Sequence, residues 1–401
     1  MTQVNRIIFF LGYPLSQRDY KRFGFETLAE NGFLVEAWNL LPVFNKNFNA
    51  AHAGEVFEFK GCQVFRNMKQ FEGAMASLSG SDLVIFMIGY TYSSKKIYQV
   101  FSRFGVDYAV IRSNVSPGFQ VPTVSLGVVE RLLSLFSWEN LKYYGRLSLW
   151  QDYFLSKSPF KFSGIRPAKY ILAGGADSYH EGSWLTDETT EILWLHSMDY
   201  DIFLSALQPE KESDRKRTAV FLDEYYPFHP DYAYGNSSSP VSADRYYPQM
   251  CRFFEDLEER FSLTVVIAAH PRSEYEKHPD YFEGRRVVRG KTIELVRDSE
   301  LVLTHASTAV SFPVLFRKPL MFITDGEQSE SRYGDAVKSL AGIFNRTAIN
   351  LSERWDLDQS LFEFDNSIYE RYEEKYIKRH VSEKRPFWVL FSDKLKKGLG
   401  S

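Results

Sequence analysis

Leu263-Thr264-Val265-Val266-Ile267-Ala268-Ala269-His270-Pro271-Arg272 opens a stretch that runs to Asp325 and states one design twice. An apolar run without polar alternation reads as a strand buried on both faces, and here it ends in His-Pro-Arg. After a loop and a short helix the pattern returns: Leu301-Val302-Leu303, then Thr304-His305-Ala306-Ser307-Thr308, a second helix over Ala309 to Phe316, the turn Lys318-Pro319 and a last strand from Leu320 to Ile323. Two parallel strands thus deliver polar groups at their carboxyl ends, where open α/β sheets place ligands.

The same grammar extends in both directions. Upstream, Thr218 to Leu222 is a strand that empties into Asp223-Glu224-Tyr225-Tyr226-Pro227-Phe228-His229-Pro230-Asp231-Tyr232, followed by a polar loop and an amphipathic helix from Tyr246 to Phe261 with Met250, Phe253, Phe254 and Leu257 on one face. In the first half, Arg6 to Gly12, Phe33 to Trp38, Asp82 to Ile88 and Tyr108 to Ile111 are buried strands, each followed by a polar or Gly-containing loop, with a helix closing at Asn31-Gly32. Glu130 to Leu155 reads as helix, and Pro167 to Leu172 as a strand running into Ala173-Gly174-Gly175-Ala176-Asp177-Ser178. That turn matches neither the P-loop nor the dinucleotide fingerprint; it is a structural turn or, alternatively, a phosphate loop. Arg332 to Phe344 reads as helix, and Trp355 to Ser367 as helix or loop. The expected architecture is α/β with two Rossmann-like domains, 1–207 and 217–365, joined by the charged linker Gln208 to Lys216 and followed by a helical tail, 366–401.

Composition narrows the function classes. At 401 residues the chain exceeds one ordinary core. A formal net charge of -3 gives no electrostatic reason to expect nucleic acid. The two cysteines, Cys62 and Cys251, lack metal-ligand spacing and suit a reducing cytoplasm. No signal peptide precedes the first strand and no apolar run approaches the ~20 residues that span a bilayer. The tail mixes Tyr369, Tyr372, Tyr376, Phe387, Trp388 and Phe391 with many Lys and Arg; it either crosses back to pack on the first domain or lies on anionic lipid at the inner face of the inner membrane. Aromatic residues make up 16 % of the chain, a content that carbohydrate clefts and ordinary cores both use.

Several side chains could carry chemistry. Arg272 can grip a phosphate or carboxylate through two parallel hydrogen bonds, with His270 donating a third; the alternative is a sheet-capping His and a surface ion pair. Ser307 and Thr308 stand where a helix begins, so their hydroxyls and the free backbone N–H groups suit an anion, although Ser307 also fits a plain cap. His305 is either a pocket donor or a buried, satisfied histidine. Asp231, with Asp223 and Glu224 in reserve, supplies a carboxylate to act as base or nucleophile, and each alone could equally cap a helix or pair with a Lys. Arg18, Asp19 and Arg22, beyond the first strand, and His229 could hold acceptor or sugar; a solvated helix start is the alternative for the first three.

His-Pro-Arg after a strand, then strand-His-x-Ser-Thr-helix-Lys-Pro-strand, resembles the donor half of GT-B glycosyltransferases, over roughly Thr218 to Asp325. It is most similar to those that use CMP-activated acidic sugars, and the Asp223 to Asp231 segment resembles most the retaining β-Kdo transferases of bacterial capsule and lipopolysaccharide synthesis. The resemblance implies two domains facing a cleft, a CMP-Kdo or CMP-sialic-acid-like donor with its phosphate on His270, Arg272, Ser307 and Thr308, no metal or other cofactor, and a glycan acceptor, lipid-linked in one version. Two rival expectations stay open: an epimerase or transferase acting on UDP-N-acetylhexosamine, and a non-catalytic subunit of glycan assembly.

Overall fold

Strands with apolar residues on both faces need a covering layer on each side, and the chain provides it twice. A computed structural model describes residues 3–44, 57–115, 117, 163–180, 185–207, 217–229, 239 and 241–397. These form two compact units: residues up to 114, 163–198 and 381–397 in the first, and Val115, Pro117 and 199–380 in the second.

The first unit holds a seven-stranded sheet, all parallel: β1 (Arg6–Leu11), β2 (Leu34–Asn39), β3 (Cys62–Val64), β4 (Asp82–Phe86), β5 (Asp107–Ile111), β6 (Tyr170–Ala173) and β7 (Glu191–Trp194), in the order β3-β2-β1-β4-β5-β6-β7. Alternation along β1 divides the core. Ile7, Phe9 and Leu11 face one layer, Ile8 and Phe10 the other. Register is fixed at the amino end by a two-pronged ion pair, Arg6 Nε to Asp82 Oδ1 at 2.8 Å and Nη2 to Oδ2 at 2.9 Å, between residues paired across β1 and β4.

The second unit holds a six-stranded parallel sheet of β8 (Thr218–Leu222), β9 (Thr264–Ala269), β10 (Val287–Arg289), β11 (Leu301–Thr304), β12 (Leu320–Thr324) and β13 (Ile349–Asn350), in the order β10-β9-β8-β11-β12-β13. Ala219 and Phe221 face the helix Ala243–Phe261, which buries Tyr246, Tyr247, Met250, Phe253, Phe254 and Leu257. Val220 and Leu222 face a second layer with Val296, Val337 and Tyr372. The short edge strands β3, β10 and β13 have too few residues for periodicity to register.

The tail divides between the units. Asn366–Tyr372 belongs to the second, whereas the helix Phe387–Lys396 lies on the first sheet, with Phe387, Trp388, Leu390 and Phe391 buried among Phe9, Phe23 and Phe25. Trp388 meets Phe9 edge-on at 5.5 Å and its Nε1 donates to Arg22 O at 2.9 Å. Gly24 permits the approach: it is left-handed (φ +61°), and a Cβ there would overlap the indole. The aromatic residues that offered a lipid contact are therefore core, which removes that basis for membrane association. Among the described residues no helix is long and apolar enough to cross a membrane.

Other expectations shift in detail. The Gly174-Gly175 turn satisfies itself, Gly174 N–H donating to Ser178 Oγ at 3.0 Å, as a structural turn does. Trp355 to Ser367 holds a 3-10 turn, Gln359–Phe362, before the next helix begins. The Glu130 to Leu155 helix and the Gln208 to Lys216 linker fall outside the described residues.

Candidate functional site

In the second sheet the chain runs outward from β8 through β9 to β10, then returns to lay β11 against the other side of β8. The connections diverge at this switch point, leaving a crevice beyond the carboxyl ends of β8 and β11. The loops that leave β8, β9 and β11 at this edge supply the side chains of the candidate site.

After β8 comes Asp223, 4 % exposed, whose carboxylate braces two loops. Oδ1 accepts from Tyr225 N at 3.0 Å and Oδ2 from His270 N at 3.3 Å, with the Tyr275 hydroxyl as a further donor. The brace holds Tyr225 in a left-handed conformation (φ 54°), which a non-glycine residue adopts only when its surroundings compensate. Burial pushes the Asp223 carboxyl up to about 6, with the three donors pulling the other way. Glu224 is less tied down. Burial, reinforced by the neighbouring Asp223 charge, pushes its carboxyl up to about 8, and the opposing contact is the Ala306 N–H after β11.

After β9, His270-Pro271-Arg272 forms a tight turn in which Arg272 N–H donates to His270 Nδ1 at 3.2 Å. In the neutral ring that leaves the proton on Nε2, making this atom a donor. The His229 ring lies 5.0 Å from that of His270, joining the β8 loop to the β9 loop, and the Arg272 side chain is exposed. Asp223, Glu224, His229, His270 and Arg272 are thus brought together by two adjacent strand ends.

After β11 the outcome is mixed. Ser307 caps, its Oγ accepting from Ala309 N at 3.3 Å, and Thr308 is exposed. The expected helix from Ala309 to Phe316 is a 3-10 turn, Thr308–Val310, followed by the short helix Ser311–Leu315, so little dipole accumulates and the hydroxyls are the better anion ligands. His305 leaves the donor-binding set. It is fully buried, Nδ1–H donates to Ile323 O at 2.7 Å and Nε2 accepts from Tyr246 OH at 2.7 Å, so both ring nitrogens serve the core. Burial pushes its pKa down to about 4, which keeps the ring neutral.

Arg18, Asp19 and Arg22 lie in the first unit, on the helix Gln17–Arg22 beyond β1. Asp19 is committed locally: its N–H donates to Ser16 Oγ at 3.1 Å and its carboxylate accepts from that hydroxyl at 2.7 Å. Asp231, the first-choice carboxylate, falls outside the described residues. Sequence reasoning missed Tyr246 and Tyr275, which secure His305 and Asp223; Tyr246 opens an amphipathic helix whose apolar face was visible, but nothing local marks its hydroxyl as a partner of a distant histidine. Among the described residues no group of three His, Cys, Asp or Glu side chains could hold a metal ion.

Two parallel-sheet α/β units with a C-terminal helix are the GT-B type of fold. The S. aureus MnaA–UDP co-structure is similar over 99 % of this chain and 98 % of its own, with a TM-score of 0.50 and 11 % identity. A putative UDP-N-acetylglucosamine 2-epimerase from Listeria monocytogenes (TM-score 0.48, 10 % identity, 100 % and 98 % covered) and Acinetobacter baumannii MurG (0.42, 10 %, 98 % and 99 %) are also similar. No family model matches the sequence, and no curated protein does.

Proposed function

We propose that the chain is a glycosyltransferase that moves an acidic sugar, Kdo or a relative, from a CMP-sugar to a growing bacterial surface glycan, with retention and without a metal. The observation that carries the reading is the arrangement at the carboxyl ends of three neighbouring strands: a phosphate-competent turn after β9 (His270, Arg272), two hydroxyls after β11 (Ser307, Thr308) and, after β8 between them, a carboxyl pushed up to about 8 (Glu224).

The division of labour follows from charge. In the first step the Asp231 carboxylate attacks the anomeric carbon while the bond to the phosphate oxygen breaks, and the electron pair leaves with CMP. Arg272 and the His270 Nε2–H receive the charge that develops on that phosphate, which is where fixed donors lower a barrier. In the second step the acceptor hydroxyl attacks the same carbon, Asp231 leaves as carboxylate, and the hydroxyl proton passes to Glu224. A carboxyl pushed up to about 8 is a stronger base than an ordinary carboxylate, and its deprotonated form, which grows as the pH approaches 8, is the one that accepts this proton. Asp223 positions His270 through its backbone and takes no part in the chemistry.

The test is CMP release from CMP-Kdo in the presence of an acceptor glycan; absence of turnover across a panel of CMP-sugars sinks the proposal. A second reading, action on a UDP-N-acetylhexosamine, takes its support from the UDP in the MnaA structure, and competitive binding of CMP against UDP separates the two. If neither nucleotide binds, the non-catalytic role in glycan assembly takes their place.

A further inference from the structure

Beside the His229–His270 contact stands a group of rings that the proposed chemistry leaves unused. Tyr247 stacks on Tyr281 at 4.2 Å (14° between planes), and Tyr281 on His278 at 4.6 Å (5°). Phe228 runs parallel to both His278 and Tyr281, within 3° and 4°, at 5.8 Å from each. Four rings from three segments therefore share one orientation. In the buried cores of the first unit many aromatic pairs meet edge-on, such as Phe10 with Phe101 at 86° and Phe86 with Phe101 at 85°. Edge-on contact is one way aromatic rings pack among themselves, whereas a parallel column leaves a flat face at its end.

The column is firm at one end and accessible at the other. Tyr247 is buried on the helix Ala243–Phe261, and its hydroxyl pairs with that of Tyr275 at 3.2 Å, itself a donor to Asp223. At the far end His278 is half-buried; Phe228, equidistant from His278 and Tyr281 and therefore flanking the column, is 37 % exposed, a large apolar ring left partly in water one residue before His229. The aromatic column and the phosphate-competent turn are therefore adjacent at the carboxyl ends of β8 and β9.

We propose that His278 and Phe228 are the stacking platform for the nucleobase of the nucleotide donor. A base extends such a column because both its faces are π surfaces that stack on the parallel rings. The inference rests on the nucleotide-sugar reading and deepens it: the turn at His270 reads the phosphate, the column reads the presence of a base, and stacking of this kind is tolerant of which base it is.

The test is titration of the full chain and its variants with CMP and, in parallel, with ribose 5-phosphate, which keeps the anion and the sugar but lacks the base. Phe228→Ala and His278→Ala are expected to weaken CMP binding about tenfold or more while ribose 5-phosphate binds as before, since one base–aromatic stack is worth about five- to hundredfold in affinity. Phe228→Trp keeps CMP affinity, and its new indole fluorescence is quenched by CMP and not by ribose 5-phosphate. Unchanged CMP affinity in both alanine variants overturns the platform alone, and so does an equal loss for both ligands. A wild-type chain that binds no nucleotide overturns the platform together with the nucleotide-sugar reading.

Discussion

Replacing Glu224 with Gln keeps the shape of the side chain and an oxygen for the Ala306 N–H, but removes a group that must hold a proton to be comfortable in the fold. With the carboxyl at about 8 in the folded chain and 4.5 as its ordinary value, the folded state keeps a proton between those limits that the unfolded state has released. The unfolded state then binds fewer protons than the native one, so stability falls as pH rises. The full displacement converts to about 5 kcal/mol at about 1.36 kcal/mol per pH unit. Because part of it comes from the Asp223 charge, about 3 to 5 kcal/mol is the expected gain for Glu224→Gln at pH 9, against under about 1 kcal/mol at pH 5. Urea unfolding of both proteins at the two pH values, followed by tryptophan fluorescence, measures the difference. The same substitution should lower kcat by about a hundredfold or more through loss of the proton acceptor. A stability difference that does not grow with pH refutes the argument, because it would mean that Glu224 is solvated and titrates near 4.5.

Asp223→Asn removes the charge that helps raise Glu224, so the acidic limb of the kcat profile, which rises as Glu224 loses its proton, should move to lower pH; a profile that stays in place shows that the two carboxyls do not interact. Tyr246→Phe strips His305 Nε2 of its donor in a fully buried setting, at a cost of about 1–3 kcal/mol read as a lower urea midpoint, with CMP affinity unchanged because His305 touches no ligand. Arg272→Ala should weaken CMP binding by about ten- to hundredfold and flatten its dependence on salt, as expected for one charge-assisted phosphate contact. Trp388→Ala empties a site against Phe9 and should cost about 3–5 kcal/mol, seen as a fall in the melting temperature.

The parallel strands were readable because burial on both faces writes itself as an uninterrupted apolar run. Arg6–Leu11, Thr218–Leu222 and Leu320–Thr324 each lie within a residue or so of the expected bounds. The order of strands was not readable in the same way, since a run says that a strand is buried without saying which neighbour it takes. Val287–Arg289 shows the limit: three residues beside β9 carry no period, and only the register with Ile267 to Ala269 makes them a strand. The tail was ambiguous for a different reason. Aromatic residues mixed with cations suit a membrane surface and a core helix with a charged outer face alike, and the space that Gly24 leaves for Trp388, far away in sequence, decides between them.

The site divides along the same line. His270 and His305 occupy equivalent places in the sequence, each immediately beyond a buried strand and its neighbouring polar residues. One faces the β8 loop with Nδ1 taken by its own turn; the other has both nitrogens consumed by Tyr246 and Ile323 and no exposure at all. Nothing in either tripeptide predicts this, because the partners come from a helix and a strand elsewhere in the chain. The adjacent carboxylates Asp223 and Glu224 diverge for the same cause. The residue that points back between β8 and β9 becomes a brace with three donors, whereas its neighbour meets one amide across the switch point and keeps a proton near neutral pH. Motif reading named residues that the structure gathers at neighbouring strand ends, and three-dimensional partners distinguish them: the groups most engaged by the protein hold the loops, and the less engaged ones, Glu224 foremost, are those with chemistry left to offer.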